Sequence, residues 1–135
     1  MTDEDVDLIR QTWALAAAVP EQTAQTFYGN LFRLDSSTKP LFVGDLDLQG
    51  RKLTQTLTFI VDHLDDVDVL LQAARDLAIR HVDYGVTAEQ YGSVGTALIT
   101  TLKQLLGPQF SADDEAAWGR VYGTLSTHMT QSAYG

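Results

Sequence analysis

Three observations predict an all-α fold of about seven helices of unequal length. Apolar residues recur at helical spacing from one end of the chain to the other. No segment sustains the period-two alternation of a half-buried strand, and β-branched residues are scattered. The periodic stretches are separated by residues that cap or break helices. The chain has 135 residues, 44% of them apolar, and no linker rich in Pro, Gly or Ser. It is therefore read as one domain spanning 1–135, long enough to bury a real core. Unequal helices argue against a simple four-helix bundle and for a globular packing.

Each element has its own local cause. Thr2 caps a first helix, and Asp3, Glu4 and Asp5 favour its positive end. Val6, Ile9, Trp13 and Ala16 or Ala17 form its apolar face. Val19-Pro20 breaks it, and Pro20 suits the first turn of a second helix that carries Ala24, Phe27, Tyr28, Leu31 and Phe32 to near Leu34. Asp35 caps a short third element, kept tight by Pro40 and reaching Phe42. Val43-Gly44-Asp45 is a corner. A long helix then runs over about 46–64, with Leu46, Leu53, Leu57, Ile60 and Leu64 on one face. Gly50 costs its first turn up to about 1 kcal/mol against alanine, which loosens that turn. After the acidic break Asp65-Asp66, the next helix carries the stripe Leu70, Ala74, Leu77, His81 and stops at Asp83-Tyr84-Gly85. Thr87-Ala88-Glu89-Gln90 is a capping-box pattern that opens another helix, with Tyr91, Val94, Leu98, Leu102, Leu105 and Leu106 inward. Gly107-Pro108 stops it, and Ser111 starts a last helix bearing Trp118, Val121, Tyr122, Leu125 and Met129.

Composition removes several function classes. There are no cysteines, so disulfides, zinc fingers, thiolate nucleophiles and thiolate-ligated haem or iron–sulfur centres are excluded. A formal net charge of −9 repels nucleic acid and anionic lipid, so neither is an expected partner. No apolar run approaches the roughly 20 residues of a membrane span. The acidic start lacks the pattern of a signal peptide, and a cytoplasmic location is the simplest expectation. No nucleophile with an adjacent base and no phosphate loop is present.

Four residues interrupt the apolar pattern. His81 closes its helical stripe, and an imidazole there is either a core histidine held by a hydrogen bond or a metal ligand. Gln49 lies on the apolar stripe of the long helix, where leucine is expected; it is either an exposed helix start or a polar group aimed into a pocket. Tyr28 and Tyr91 are phenols on buried stripes, and a buried phenol wants a hydrogen-bond partner. Phe42 closes the short third element. Together they suit a metal centre enclosed by organic material. His63 lies about 21 Å along the helix from Gln49, at 1.5 Å per residue, and cannot share its pocket. The acidic run around it lacks the spacing of a calcium loop. His128 is read as structural.

Several motifs carry a resemblance to a known family. Arg80-His81-Val82-Asp83-Tyr84-Gly85-Val86, Gln90-Tyr91-Gly92-Ser93-Val94-Gly95 and Ala117-Trp118-Gly119-Arg120-Val121-Tyr122-Gly123 resemble, in order and spacing, the bacterial single-domain haemoglobins and the globin domain of flavohaemoglobins. Thr26-Phe27-Tyr28-Gly29-Asn30-Leu31-Phe32 and Lys39-Pro40-Leu41-Phe42 match the same family. The resemblance implies a globin fold around haem b (iron protoporphyrin IX). It implies His81 as the proximal ligand to iron and Phe42 as the phenylalanine against the haem face. It makes Tyr28 and Gln49 the distal polar residues, Leu53 the apolar distal residue, and Tyr91 the tyrosine that fixes the histidine ring. Val86 and Val94 line the haem. Arg80, with Arg51 and Lys52, is available for the haem propionates. The segment from Phe42 to Gln49 is shorter than the family pattern. The family's usual glutamate on the last helix falls here on Ala133, and its absence weakens the electron push on the histidine.

The function this implies is reversible binding of oxygen, for storage, delivery or buffering, with nitric oxide and carbon monoxide as further ligands. An alternative is nitric oxide dioxygenase activity. It needs an external reductase, because 135 residues hold no flavin or nicotinamide domain beside the globin. A gas or redox sensor is a third reading. The expectation leans away from an enzyme, and the assembly is read as a monomer or homodimer.

Overall fold

A computed structural model describes residues 2–42 and 44–134. Val43 of the expected corner, with Met1 and Gly135, lies outside the described residues. Six α-helices are present among the described residues: α1 (Asp3–Ala17), α2 (Pro20–Leu34), α3 (Leu46–Asp62), α4 (Val67–Asp83), α5 (Gln90–Leu106) and α6 (Ala112–Tyr134). Short 3₁₀ segments at Ser36–Leu41 and Gly107–Gln109 complete a fold with no strand among those residues. No helix among them is long and apolar enough to cross a membrane.

The caps form for the expected reasons. The Thr2 hydroxyl accepts from the Asp5 N–H at 3.1 Å, and the Asp5 carboxylate takes the Thr2 N–H in return. Ser111 and Asp114 repeat this exchange at the start of α6. Pro20 occupies the first turn of α2, and the Asp35 carboxylate receives the Ser37 N–H at the start of the 3₁₀ segment. Gly44 and Gly107 turn with φ of 93° and 53°.

Three local expectations need correction. The long helix ends at Asp62, and Leu64 is buried from the turn that follows. Leu46 is 41% exposed, so the inward stripe of α3 begins beyond it. The glycine explains why: a Cβ on Gly50 would lie 2.8 Å from Ala24 Cβ and 3.8 Å from Tyr28 Cε2. At Gly50 the helix α3 approaches α2 closely, in regular helical backbone, and the residues before it run past the contact. Finally, α5 begins at Gln90 rather than Thr87. Gln90 Oε1 does accept the Thr87 N–H at 2.9 Å, as in a capping box. The Gln90 N–H instead bonds the Thr87 carbonyl at 3.2 Å, which tightens the turn and delays the helix.

The core divides in two. The larger cluster joins α1, α2, α5 and the first half of α6 through Ile9, Trp13, Phe27, Leu31, Leu102 and Trp118. The smaller one joins α4, the start of α5 and the end of α6 through Ala74, Ala78, Tyr91 and Met129. Leu125 packs against both. The helices follow this division: α3 rests on α2 and α1, whereas α4 rests on α6. Adjacent in sequence, α3 and α4 lean on different neighbours and leave a cleft between them.

Candidate functional site

His81 lies in the last turn of α4. Tyr84 caps the helix, and Gly85 follows with φ of 89°. The Val86 N–H donates to the His81 carbonyl at 2.9 Å, and the Gly85 N–H to the Val82 carbonyl at 3.0 Å. That pair of bonds is the Schellman closure, and glycine is the residue that enters its left-handed position without strain. The backbone of His81 is thereby pinned by the corner it precedes, and Val86 is brought beside it.

The His81 ring is fixed from the other side. Its Nδ1 lies 3.1 Å from the Tyr91 hydroxyl, with ring centroids 5.5 Å apart and tilted by 67°. Burial, with the Arg80 charge adding to it, holds the imidazole below its ordinary pKa. The ring is therefore neutral at pH 7, with Nδ1 engaged and an Nε2 that makes no hydrogen bond among the described residues. Burial pushes the Tyr91 phenol up, and Tyr134 and Tyr122 add to the shift, so Tyr91 stays protonated.

Two residues that carried no assigned role in the sequence surround Tyr91. The Tyr122 hydroxyl donates to the Tyr91 carbonyl. The Tyr134 ring meets the Tyr91 ring edge-on at 6.0 Å and 85°, and its hydroxyl donates to the Val86 carbonyl. The sequence signal for the first was Gly95, a glycine inside a helix: a Cβ there would lie 2.5 Å from Tyr122 Cε2. Nothing local signals Tyr134. Ala133, where the resemblance places an absent glutamate, packs against the small cluster.

Tyr28 belongs to the other wall. It is 6% exposed, edge-on to Phe42 at 5.1 Å and stacked on Phe32 at 5.9 Å. Burial raises its phenol pKa to about 12. Among the described residues no fully buried side-chain nitrogen or oxygen lacks a partner. The Tyr28 hydroxyl forms no hydrogen bond with a described residue, and its oxygen is not fully enclosed. Gln49 is half-buried in the first turn of α3, next to the Gly50 crossing that touches Tyr28. Phe42, Leu53 and Val94 are half-buried against the larger cluster, and Val86 against the smaller. The expected residues thus gather as two groups on two clusters: Tyr28, Phe42, Leu53 and Val94 on one, His81, Tyr91 and Val86 on the other.

Between α3 and α4 lies a cavity of about 340 Å³, lined by Gln55, Thr56, Phe59 and Ile60 on one side and Ala73, Asp76, Leu77 and Arg80 on the other. Tyr28, Phe42, Gln49, Leu53 and His81 do not line it; it opens one turn further along both helices, past Leu53 and before His81. Arg80 sits on its wall, while Arg51 and Lys52 are exposed on α3. None of these three cations is in an ion pair among the described residues.

The donor set limits the chemistry. No group of three or more His, Cys, Asp or Glu among the described residues is placed to hold a metal ion. One neutral imidazole does not chelate. It would suit a metal already held in an organic ring, and the cleft between α3 and α4 carries both apolar side chains (Phe59, Ile60, Ala73, Leu77) and polar ones (Gln55, Thr56, Asp76, Arg80).

The family model for globins matches residues 25–129. The chain is 28% identical to the Globin-2 B chain of Anadara inaequivalvis over 91% of its own length and 89% of that protein's. It is 29% identical to the Globin-1 subunit beta of Anadara trapezia, over 91% and 88% of the two lengths. The Globin-2 A chain of Anadara inaequivalvis gives 29%, over 90% and 88%.

Proposed function

The chain belongs to the globin family, and from that premise we propose that it is a single-domain haem protein that binds oxygen reversibly. One observation carries this reading. The core is split into two clusters, with a half-buried histidine braced by Tyr91 on one and a buried phenol that makes no hydrogen bond with a described residue on the other. The relatives named above are mollusc globins. The residue roles come instead from the resemblance of the His81 and Tyr91 motifs to bacterial single-domain haemoglobins.

Haem b, when bound, supplies an iron that takes a diatomic gas reversibly. His81 would hold the metal through Nε2, with the ring proton on Nδ1 donated to the Tyr91 hydroxyl. Phe42, Leu53 and Val94 offer an apolar face from the larger cluster, and Val86 does so from the smaller. Arg80 offers a cation to acidic groups at the cleft. Tyr28 stays protonated far above neutral pH and would donate its O–H to a polar gas ligand, with Gln49 as a second donor. Tyr91 is a neutral partner for Nδ1 where a carboxylate would push electrons more strongly, which supports binding over oxygen activation.

The test is the oxygen dissociation rate. A hydrogen bond of about 1.5 kcal/mol to a partly charged ligand corresponds to roughly tenfold in rate. Tyr28→Phe is expected to release oxygen about that much faster in stopped-flow measurements. An unchanged rate contradicts the assignment of Tyr28.

A further inference from the structure

Phe42 reaches the site on a segment with few bonds of its own. The 3₁₀ stretch Ser36–Leu41 is short, and its Pro40 brings no backbone N–H. The Thr38 N–H donates to the Asp35 carbonyl at 3.1 Å, and the Phe42 N–H to the Lys39 carbonyl at 3.2 Å. Side chains from the start of α5 add to these. Gln90 is buried and uses both ends of its amide. Its Oε1 accepts the Thr87 N–H at 2.9 Å, and its Nε2 donates to the Ser37 hydroxyl at 3.1 Å and the Ser37 carbonyl at 3.4 Å. The Ser37 hydroxyl in turn donates to Asp35 Oδ1, and Ser93, one turn along α5 from Gln90, donates to Asp35 Oδ2 at 2.7 Å. Asp35 is in no ion pair among the described residues, so these hydroxyls and the Ser37 N–H hold its charge. Leu41 meets the same corner, 3.8 Å from where a Cβ on Gly85 would lie.

We propose that Gln90, Ser93 and Asp35 are positioning residues that clasp the segment bearing Phe42 to the corner after His81, so that the two walls of the site keep one spacing. Phe42 packs with Tyr28 and Phe32 against the larger cluster, whereas Val86, next to Thr87 in the corner, packs against the smaller. Three hydrogen bonds cross from α5 to the segment, two from Gln90 and one from Ser93. They are interdependent. The Ser37 hydroxyl accepts from Gln90 and donates to Asp35, so a shift of Ser37 loosens both contacts at once. The same shift leaves a buried amide without its acceptor, which costs more than the bond itself contributes. A displacement of either wall is therefore carried to the other through Gln90, whose Oε1 is fixed on the corner. The clasp is a property of the chain itself; only its bearing on a flat group between Phe42 and His81 rests on the haem reading.

The test uses the protein as isolated, reduced and saturated with carbon monoxide, and reads both walls by NMR. On one side it follows amide hydrogen exchange at Thr38 and Phe42; on the other, the pair of His81 imidazole nitrogen shifts. Gln90→Glu keeps the acceptor for Thr87 and drops the donor, and Ser93→Ala removes the second hydroxyl. Both lie on α5, and each is expected to speed exchange at Thr38 and Phe42 roughly fivefold, the effect of losing about one hydrogen bond. Ser37→Ala lies on the Phe42 segment and is expected to move the His81 nitrogen shifts. Combined with Gln90→Glu, it is expected to speed exchange by less than the product of the two single effects, because both changes break one contact. Thr124→Ala removes a hydroxyl bonded only within its own helix to Arg120, and is expected to leave both readouts unchanged. Wild-type exchange in both α5 variants overturns the proposal, as do wild-type His81 shifts in Ser37→Ala or a double variant equal to the product of the singles. The absorption spectrum of each sample reports haem separately, so its absence counts against the haem reading while the two NMR readouts still decide the clasp.

Discussion

The larger cluster of the core and the smaller one around His81 are ordered by different means. In the larger, Ile9, Leu31 and Leu102 are almost wholly buried, and both tryptophans satisfy their indole N–H groups, Trp13 on Thr58 at 3.0 Å and Trp118 on Thr12 at 2.8 Å. Each large apolar side chain buried there is worth roughly 1.5–3 kcal/mol. The smaller cluster has only Ala74, Ala78, Met129 and Tyr91 as buried members, with Leu77, Val86, Leu125 and Ala133 half-buried against them. It relies on the Gly85 closure and on three tyrosine hydroxyls. One wall of the cleft is thus set by burial and the other by direction. A flat apolar group inserted between them would add to the smaller cluster the burial it lacks, and this is why the division bears on function.

That contrast can be broken by mutation. The largest effect is expected at Leu31, fully enclosed between α2 and its neighbours. Leu31→Ala should cost about 2–5 kcal/mol of stability in urea unfolding, from lost transfer energy plus the cavity. Ala78→Gly, at an equally buried position of the smaller cluster, should cost only about 1 kcal/mol, mostly in helix propensity. Equal losses would erase the distinction between the clusters. Gly50→Ala comes next. Its Cβ would enter the space of Ala24, and overpacking of this kind costs about 1–3 kcal/mol. The same change should disturb Tyr28 more than His81, measurable as a larger change in oxygen release than in the His81 nitrogen shifts.

The smallest effect concerns acid. Asp5 is buried under α6, where Arg120 grips it with bonds of 2.7 and 3.2 Å. The guanidinium, helped by the Thr2 N–H, holds its carboxyl below the ordinary value of 3.8. A carboxyl lowered by folding adds stability above its unfolded pKa and loses it as the pH falls through the folded one. Asp5→Asn should therefore flatten the acid limb of the stability curve below about pH 4 while leaving the proximal signals of His81 unchanged. An acid limb identical to wild type would mean that the Asp5–Arg120 pair does not set it.

Much of the fold was legible because its causes are local. Thr2 with Asp5, Ser111 with Asp114, Pro20 and Gly85 announce helix ends within a few residues, and periodicity named the inward faces. The site was legible only in part. His81 stands out as an imidazole on an apolar stripe, but its partner at Tyr91 came from the family resemblance rather than from spacing. The role of Gly50 is not legible locally, because a glycine's cost is visible in sequence whereas the Ala24 that needs the space belongs to another helix. Periodicity turns Tyr122 inward but does not name its partner, and nothing local marks Tyr134, because their contacts lie 31 and 48 positions away, respectively. Exposure of Leu46 likewise depends on where α3 crosses α2, which no periodicity records.

The proposed function requires that His81 hold a haem between the two clusters. Absorption spectra of the purified protein in ferric, ferrous and carbonmonoxy forms test it most directly, with His81→Ala beside the wild type. The wild type is expected to show a Soret band in all three, and a ferrous spectrum that shifts on adding carbon monoxide; His81→Ala is expected to lose the histidine-ligated ferrous spectrum. A wild-type protein that shows no Soret band after reconstitution with haem, or a His81→Ala variant with an unaltered ferrous spectrum, would contradict it.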